Sequence, residues 1–381
     1  MEYRNFGKTN LTTSALGFGC MRLPQVPGEE SRIDEPEAAR MVRHAIDQGV
    51  NYIDTAWSYH GGQSEVFLGK ALQDGYREKV ALATKMPSWL IEKQEDFDQY
   101  FSTQLERLQT DHIDFYLLHA LNQKHWDNYL NLNVFDWVEK QMADGKIRHI
   151  GFSFHDEYPV FEKILTGYDH WDFCQIQYNY MDVDYQAGQR GLQLASERGL
   201  GVVIMEPLKG GKLAIEVPPA PVKAVFDQTE RPWKPAEWAL QWLWNQPEVG
   251  LVLSGMSTFE QVEQNLASAS RSGVGSLTEN EATVIEEARS AWQGLAPVAC
   301  THCEYCLPCP NEVLIPQIFE IYNNAVMYDH QDRGQHTYQS QIAENNRADV
   351  CIECEVCESL CPQHLTIINY LKDAHAYLSG G

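Results

Sequence analysis

The chain has 381 residues and a formal net charge of −24 at pH 7. That acidity excludes a surface built for nucleic acid or an anionic membrane, since either needs a basic footprint. Hydrophobic residues make up 44% of the chain, enough for globular cores, yet no apolar run approaches the ~18 residues of a membrane span. The opening Met-Glu-Tyr-Arg-Asn-Phe-Gly-Lys has no apolar export segment, so a cytoplasmic location is expected. The length exceeds one ordinary core, unless that core is a barrel of roughly 250 residues with an appendix.

Residues 3–12 read as a small hairpin, a plug outside the strand order that follows. Apolar runs then recur at 15–19, 50–54, 79–84, 113–118, 147–152, 173–177, 201–205 and 249–253. Amphipathic stretches alternate with them at 36–48, 64–73, 96–108, 134–144, 157–166, 186–199, 235–246 and 258–270. Pro36 in a first turn and Thr258 before an acidic turn are helix-start signals. Eight strand–helix units in succession specify an α/β fold, a closed parallel (β/α)8 TIM barrel. A doubly wound sheet is the rival, but no Gly-x-Gly-x-x-Gly follows the first strand. The long loops fall at 20–35, 120–133 and 206–234, and a further helix at 278–292 packs outside the barrel.

Three of the runs end in chemistry. Asp54 closes the second, Lys85 the third and His119 the fourth, while Tyr59 follows Asp54 by five residues. In a barrel these strand ends are neighbours at the face where active sites form. A tyrosine donates a proton near neutral pH if its pKa is drawn well below about 10. A neighbouring ammonium draws it down by favouring the phenolate, and a paired carboxylate keeps that ammonium charged and in place. The expected device delivers a proton to a carbonyl oxygen.

Asn51-Tyr-Ile-Asp-Thr-Ala, Tyr59, Ser64-Glu65, Thr84-Lys85, Leu118-His119 and Gly151-Phe-Ser153 resemble the aldo-keto reductase family. The resemblance implies Tyr59 as general acid, Lys85 and its partner Asp54 tuning it, and His119 orienting the substrate carbonyl. It also implies a nicotinamide cofactor, NADPH or NADH, and a small carbonyl substrate. Ser153 and Gln175 match contacts to the carboxamide, with Phe154 in place of the family's usual Asn. Met205 stands where an aromatic commonly stacks on the ring. Leu208-Lys-Gly-Gly-Lys212, with Leu208 and Gly210, matches a pyrophosphate turn, while Ser254 and Asn265 match the adenosine end. Gly255 and Gln261 replace residues that are often Lys and Arg around a 2′-phosphate, which keeps NADH open. Trp57, Trp89, Trp126 and Tyr129 are candidates for an aromatic pocket, with Trp57 and Trp89 favoured by their closeness to Tyr59 and Lys85.

Eight of the ten cysteines lie between 300 and 361. Residues 351–362 read Cys-x2-Cys-x2-Cys-x3-Cys-Pro, the spacing of bacterial-type 4Fe–4S ligation, and residues 300–310 carry a version one residue shorter. In two-cluster proteins the fourth cysteine of each run serves the other cluster. Two 4Fe–4S clusters follow, one on Cys300, Cys303, Cys306 and Cys361, the other on Cys351, Cys354, Cys357 and Cys309. Zinc is the alternative, since paired Cys-x2-Cys is also its spacing. Helices are expected at 314–322, 338–348 and 366–378. This tail resembles the helical dicluster ferredoxin domains fused to some aldo-keto reductases, giving a barrel over 1–296 and a ferredoxin-like, mainly helical iron–sulfur domain over 297–381. The clusters are structural or serve electron transfer to an external redox partner. A different class of function stays open: an electron-transfer or redox-sensing protein whose barrel binds dinucleotide and docks a partner.

Overall fold

An antiparallel hairpin, β1 (Tyr3–Asn5) with β2 (Thr12–Ser14), opens the chain, Tyr3 facing Ser14. The computed structural model describes residues 1–29, 32–300 and 302–380. They form two compact units, one of Met1–Glu216 with Arg231–Ile285, the other of Val217–Glu230 with Glu286–Gly381.

In the first unit the eight expected runs become β3 (Leu16–Gly19), β4 (Tyr52–Asp54), β5 (Ala81–Met86), β6 (Ile113–Leu121), β7 (Ile147–Phe154), β8 (Phe173–Gln177), β9 (Gly201–Met205) and β10 (Leu251–Gly255). They close into a parallel barrel in chain order, β10 pairing with β3. The intervening helices begin with α1 (Glu35–Asp47), α2 (Gln63–Ala71), α3 (Glu95–Leu108), α4 (Gln123–Asn131) and α5 (Val134–Ala143). They continue with α6 (Tyr158–Thr166), α7 (Gly188–Glu197), then α8 (Ala220–Phe226) in the second unit, α9 (Pro235–Trp244) and α10 (Phe259–Ala269). Caps fix their starts: the Asp34 side chain accepts from Glu37 N–H, and Thr258 from Gln261 N–H, each at 3.3 Å. Helix α4 fills a stretch expected to be loop. Asn122 caps it by accepting from His125 N–H at 2.8 Å, and Trp126 with Tyr129, three apart, bury one face.

The barrel interior is filled by Phe6, Tyr52, Phe115, Leu117, Phe173, Val203 and Leu251. Phe6 enters from the hairpin and meets Phe115 edge-on at 5.2 Å between ring centroids, so the segment does plug the ring. Gly7 (φ +53) passes so close to β9 that a Cβ would stand 2.2 Å from Gly201 N, and only glycine fits. Register sets the active face: Gly19 pairs with Asp54, Asp54 with Ala83, and Met86 with Leu118. The ends of β4, β5 and β6 therefore adjoin.

Helix α11 (Glu279–Gln293) runs from the first unit into the second. The second unit packs α12 (Ile315–Met327), α13 (Gln331–Gln341) and α15 (Ile367–Leu378), with short α14 (Val356–Leu360) before α15. Ile318, Phe319, Tyr338, Leu371 and Leu378 form its core. The helix expected at 338–348 lies earlier in the chain, because the Tyr338 hydroxyl accepts from Ala348 N–H (2.9 Å) and the chain straightens at Ile342. Among the described residues no helix is long and apolar enough to cross a membrane.

Candidate active site and cysteine centre

A cavity of about 900 Å3 opens at the C-terminal ends of the barrel strands. Asp54, Tyr59, Lys85 and His119 all line it. The Lys85 ammonium lies 2.5 Å from Asp54 Oδ1, 2.8 Å from the Thr55 carbonyl and 3.4 Å from the Tyr59 hydroxyl. The Tyr59 and His119 rings meet edge-on, 6.3 Å between centroids. His119 is fixed through its backbone. The Ser88 hydroxyl donates to its carbonyl, and the next amide, Ala120 N–H, donates to Ser153 Oγ at 2.7 Å.

Electrostatics follow from burial. Burial pulls the Lys85 ammonium down, but Asp54 and Tyr59 outweigh it and leave it above its ordinary value, hence charged. Burial, followed by the adjacent Lys85, holds the His119 imidazole well below its usual range, so it is neutral. Among the described residues its buried Nδ1 has no hydrogen-bond partner. The Tyr59 phenol departs from expectation: burial pushes it above its ordinary value, Lys85 opposes the rise and Asp54 adds to it. A phenol whose pKa is raised carries its proton at neutral pH.

The residues matched to a dinucleotide also line this cavity: Ser153, Gln175, Met205, Leu208, Gly210, Ser254 and Asn265. Gln175 Oε1 is buried and has no partner among the described residues, an acceptor suited to a donor such as a carboxamide NH2. Gly210 and Gly211 have positive φ, and a Cβ on Gly211 would meet open space. Nearby, Lys209 is tied to Asp182 Oδ1 at 2.5 Å, which braces the turn. Asn265 Nδ2 donates to Ser254 Oγ at 3.1 Å. These residues fit a nicotinamide dinucleotide. Of the aromatic candidates, Trp89 lines the cavity with its ring 5.1 Å from that of His119. Trp57 is turned against Tyr100 and Arg107, while Trp126 and Tyr129 are core residues of the barrel. Sequence reasoning missed the rim charges Arg22, Glu206, Glu216, Lys234 and Glu260, which no motif marks.

In the second unit Cys300, Cys303, Cys306 and Cys361 line one recess, walled by Ile315, Phe319 and Pro362. The Cys357 thiol has those of Cys351 and Cys354 as electrostatic neighbours, and Cys306 senses Cys357 as well as Cys300 and Cys303. Cys309 lies against the same core. Its segment is tied to the approach of the second run, Leu314 N–H donating to the Asn346 carbonyl (3.1 Å) and Asn346 Nδ2 to that of Glu312 (2.7 Å). Among the described residues no three His, Cys, Asp or Glu side chains converge to hold a single metal ion. Thiols ranged around a recess suit a multi-iron cluster, whose irons take one thiolate each.

Residues 15–289 match the aldo/keto reductase family, and residues 299–366 match the 4Fe–4S dicluster domain. The chain is 30% identical over 288 residues to L-galactose dehydrogenase of Arabidopsis thaliana, covering 70% of this chain and 88% of that protein. It is 27% identical over 327 residues to NADH-specific methylglyoxal reductase of Escherichia coli, covering 75% and 97%. The holo form of an aldo-keto reductase from Bacillus halodurans superimposes with a TM-score of 0.63 at 28% identity, over 76% of this chain and 96% of that one. An aldo/keto reductase from Klebsiella pneumoniae in complex with NADP and acetate gives 0.61 at 25% identity, over 74% and 94%. The strand-end constellation, the closed barrel and these matches agree, and the chain belongs to the aldo/keto reductase family of oxidoreductases, extended by a 4Fe–4S dicluster domain.

Proposed function

We propose that the protein reduces a small aldehyde or ketone, or oxidises the corresponding alcohol, with a nicotinamide cofactor and with Tyr59 as general acid. The observation that carries this reading is the buried line Asp54–Lys85–Tyr59, with its 2.5 Å and 3.4 Å contacts, facing a neutral His119 across one cavity. When bound, the reduced nicotinamide supplies a hydride to the carbonyl carbon. The chain supplies the proton. A carbonyl oxygen seated between the Tyr59 hydroxyl and the His119 imidazole gains basicity as it becomes an alkoxide, and Tyr59 protonates it. The resulting phenolate is stabilised by Lys85, whose charge Asp54 maintains.

Ser153 and Gln175 would hold the carboxamide, Met205 the ring face, Leu208 and Gly210 the pyrophosphate, and Ser254 and Asn265 the adenosine. NADH is the preferred dinucleotide in this reading. Gln261 Oε1 is occupied by Ser257 N–H at 2.8 Å, Gly255 has no side chain, and Lys234 faces Glu216 at 3.0 Å and Glu260 at 3.8 Å. Arg22, whose side chain runs beside Gly255, faces Glu206 at 3.8 Å, so each cation near a 2′-phosphate here already has a carboxylate partner. The functional division runs 1–296 for carbonyl chemistry and 297–381 for two 4Fe–4S clusters, on Cys300, Cys303, Cys306 and Cys361 and on Cys351, Cys354, Cys357 and Cys309. When bound, a cluster accepts or releases one electron at a time.

The test uses anaerobically purified holoprotein. NADH and NADPH are titrated by fluorescence, then their oxidation is followed with a panel of aldehydes, for the native chain and Tyr59→Phe. The expected result is tighter NADH binding and a loss of about 10²–10⁴-fold in turnover for Tyr59→Phe. Full turnover in that variant would overturn the reading. Binding without any turnover in the native chain would favour an electron-transfer or redox-sensing protein.

A further inference from the structure

Glu65 is fully buried, and nothing in the proposed proton delivery uses it. Its Oε1 accepts from the Thr84 hydroxyl at 2.7 Å and from Gln104 Nε2 at 2.8 Å; its Oε2 lies 3.1 Å from Arg107 Nη1. Each of these partners leads back to the site. Thr84 immediately precedes Lys85, and Gln104 Nε2 also donates to the Lys85 carbonyl at 2.9 Å. Gln104 Oε1 accepts from the Tyr116 hydroxyl at 2.7 Å, on the strand that ends near His119. The Arg107 guanidinium lies 3.8 Å over the Trp57 ring, and Trp57 stands two residues before Tyr59. The glycine that ends the Tyr59 turn, Gly62 (φ +89), passes beside the same guanidinium.

We propose that Glu65 is a positioning residue that joins the strand carrying Lys85 to the loop carrying Tyr59. The chemistry of the carboxylate suits the task. It is acceptor-only when ionised, so it takes bonds from a hydroxyl, an amide and a guanidinium at once. Those three donors come from β5 and α3, while Glu65 itself sits in the first turn of α2, directly after the Tyr59 turn. The 3.4 Å separation of Lys85 Nζ from the Tyr59 hydroxyl is thus set from behind by one buried anion. A buried charge held by a guanidinium and two neutral donors costs much to disturb and fixes geometry where it stands. Trp57, expected to border the substrate, is in this account the contact through which the network reaches the catalytic loop.

The inference rests on the reading of Tyr59 and Lys85 as the proton-delivery pair, and the test separates the two. Glu65→Gln keeps shape but turns an amide donor towards donors. Arg107→Lys, at a partly exposed position, keeps the charge but loses the planar stack on Trp57. Thr84→Val removes a donor that Thr84→Ser retains. The expected outcome is a fall of about 10- to 100-fold in kcat for Glu65→Gln and a smaller fall for Arg107→Lys. The KM for the aldehyde and the Kd for NADH stay within about twofold, and Thr84→Ser restores what Thr84→Val loses. Native kcat per folded site in Glu65→Gln and Thr84→Val, with Tyr59→Phe inactive, would overturn the positioning role alone. If Glu65→Gln does not fold, unaltered kcat in both Arg107→Lys and Thr84→Val overturns that role equally. Activity in Tyr59→Phe would overturn the underlying reading instead.

Discussion

The ammonium of Lys85 sits 2.5 Å from Asp54 Oδ1, with both side chains 1% exposed, while the buried Asp54 Oδ2 has no partner among the described residues. Such a pair is weak as a net source of stability, because desolvation offsets much of its attraction. It is costly to halve, because the charge left behind has neither water nor a counter-ion.

Asp54→Asn is therefore expected to destabilise the barrel by about 3–5 kcal/mol, read from urea denaturation of the apo and NADH-bound protein. Turnover falls as well, since the lysine loses the group that keeps it charged. A change below about 1 kcal/mol would show that the pair is hydrated and not sealed.

The raised Tyr59 phenol sets the alkaline side of the pH profile. A donor that keeps its proton through neutrality gives a reduction rate independent of pH until the phenol ionises. The expected kcat/KM profile is flat from about pH 7 to 9, with its alkaline limb at or above the ordinary phenol value of about 10. A limb near pH 8 would mean that Lys85 dominates burial.

On the acid side three histidines act together. Burial depresses His119, with help from Lys85, and burial also depresses His155 and His60. With folded pKa values below the unfolded value of about 6.5, the unfolded chain binds more protons, so stability is complete above that pH and is lost as pH falls. The slope contributed by His119 approaches about 1.4 kcal/mol per pH unit. Urea midpoints at pH 7.5, 6.5 and 5.5 measure it, and His119→Gln should flatten the decline. An equal slope in that variant would place the effect elsewhere.

For the cysteine centre, Cys361→Ala and Cys309→Ala each remove the distant ligand proposed for one cluster. Each is expected to lower iron from about eight to about four per chain, while zinc stays at background. Iron retained in full by Cys309→Ala would show that another group serves that corner.

Much of the barrel was legible because each strand is a short apolar run and three successive runs lead into a titratable residue at the active face. Asp54, Lys85 and His119 could be read at those ends without coordinates. Helix α4 was not, because its signal lies in one cap, Asn122, and one apolar pair, Trp126 and Tyr129, embedded in polar sequence. The direction of the Tyr59 shift was missed because sequence shows a neighbouring lysine but not the degree of burial that outweighs it. Trp57 was misplaced for a related reason: closeness in sequence to Tyr59 says nothing of which side the ring turns to, and Arg107, fifty residues on, decides it. In the tail the cysteine spacing was plain, whereas the end of α13 goes with a Tyr338–Ala348 bond that no periodicity announces.

The floor of the barrel imposes an order of events on synthesis. Phe6 and Gly7 leave the ribosome well before their seat, for the backbone they seal against, at Gly201, and the strand that shuts the ring, β10, emerge some two hundred residues later. Until then the amino-terminal segment has no seat, and the half-made sheet keeps two open edges. Closing the ring thus joins segments far apart in the order of synthesis, which makes the nascent barrel most vulnerable just before it is complete.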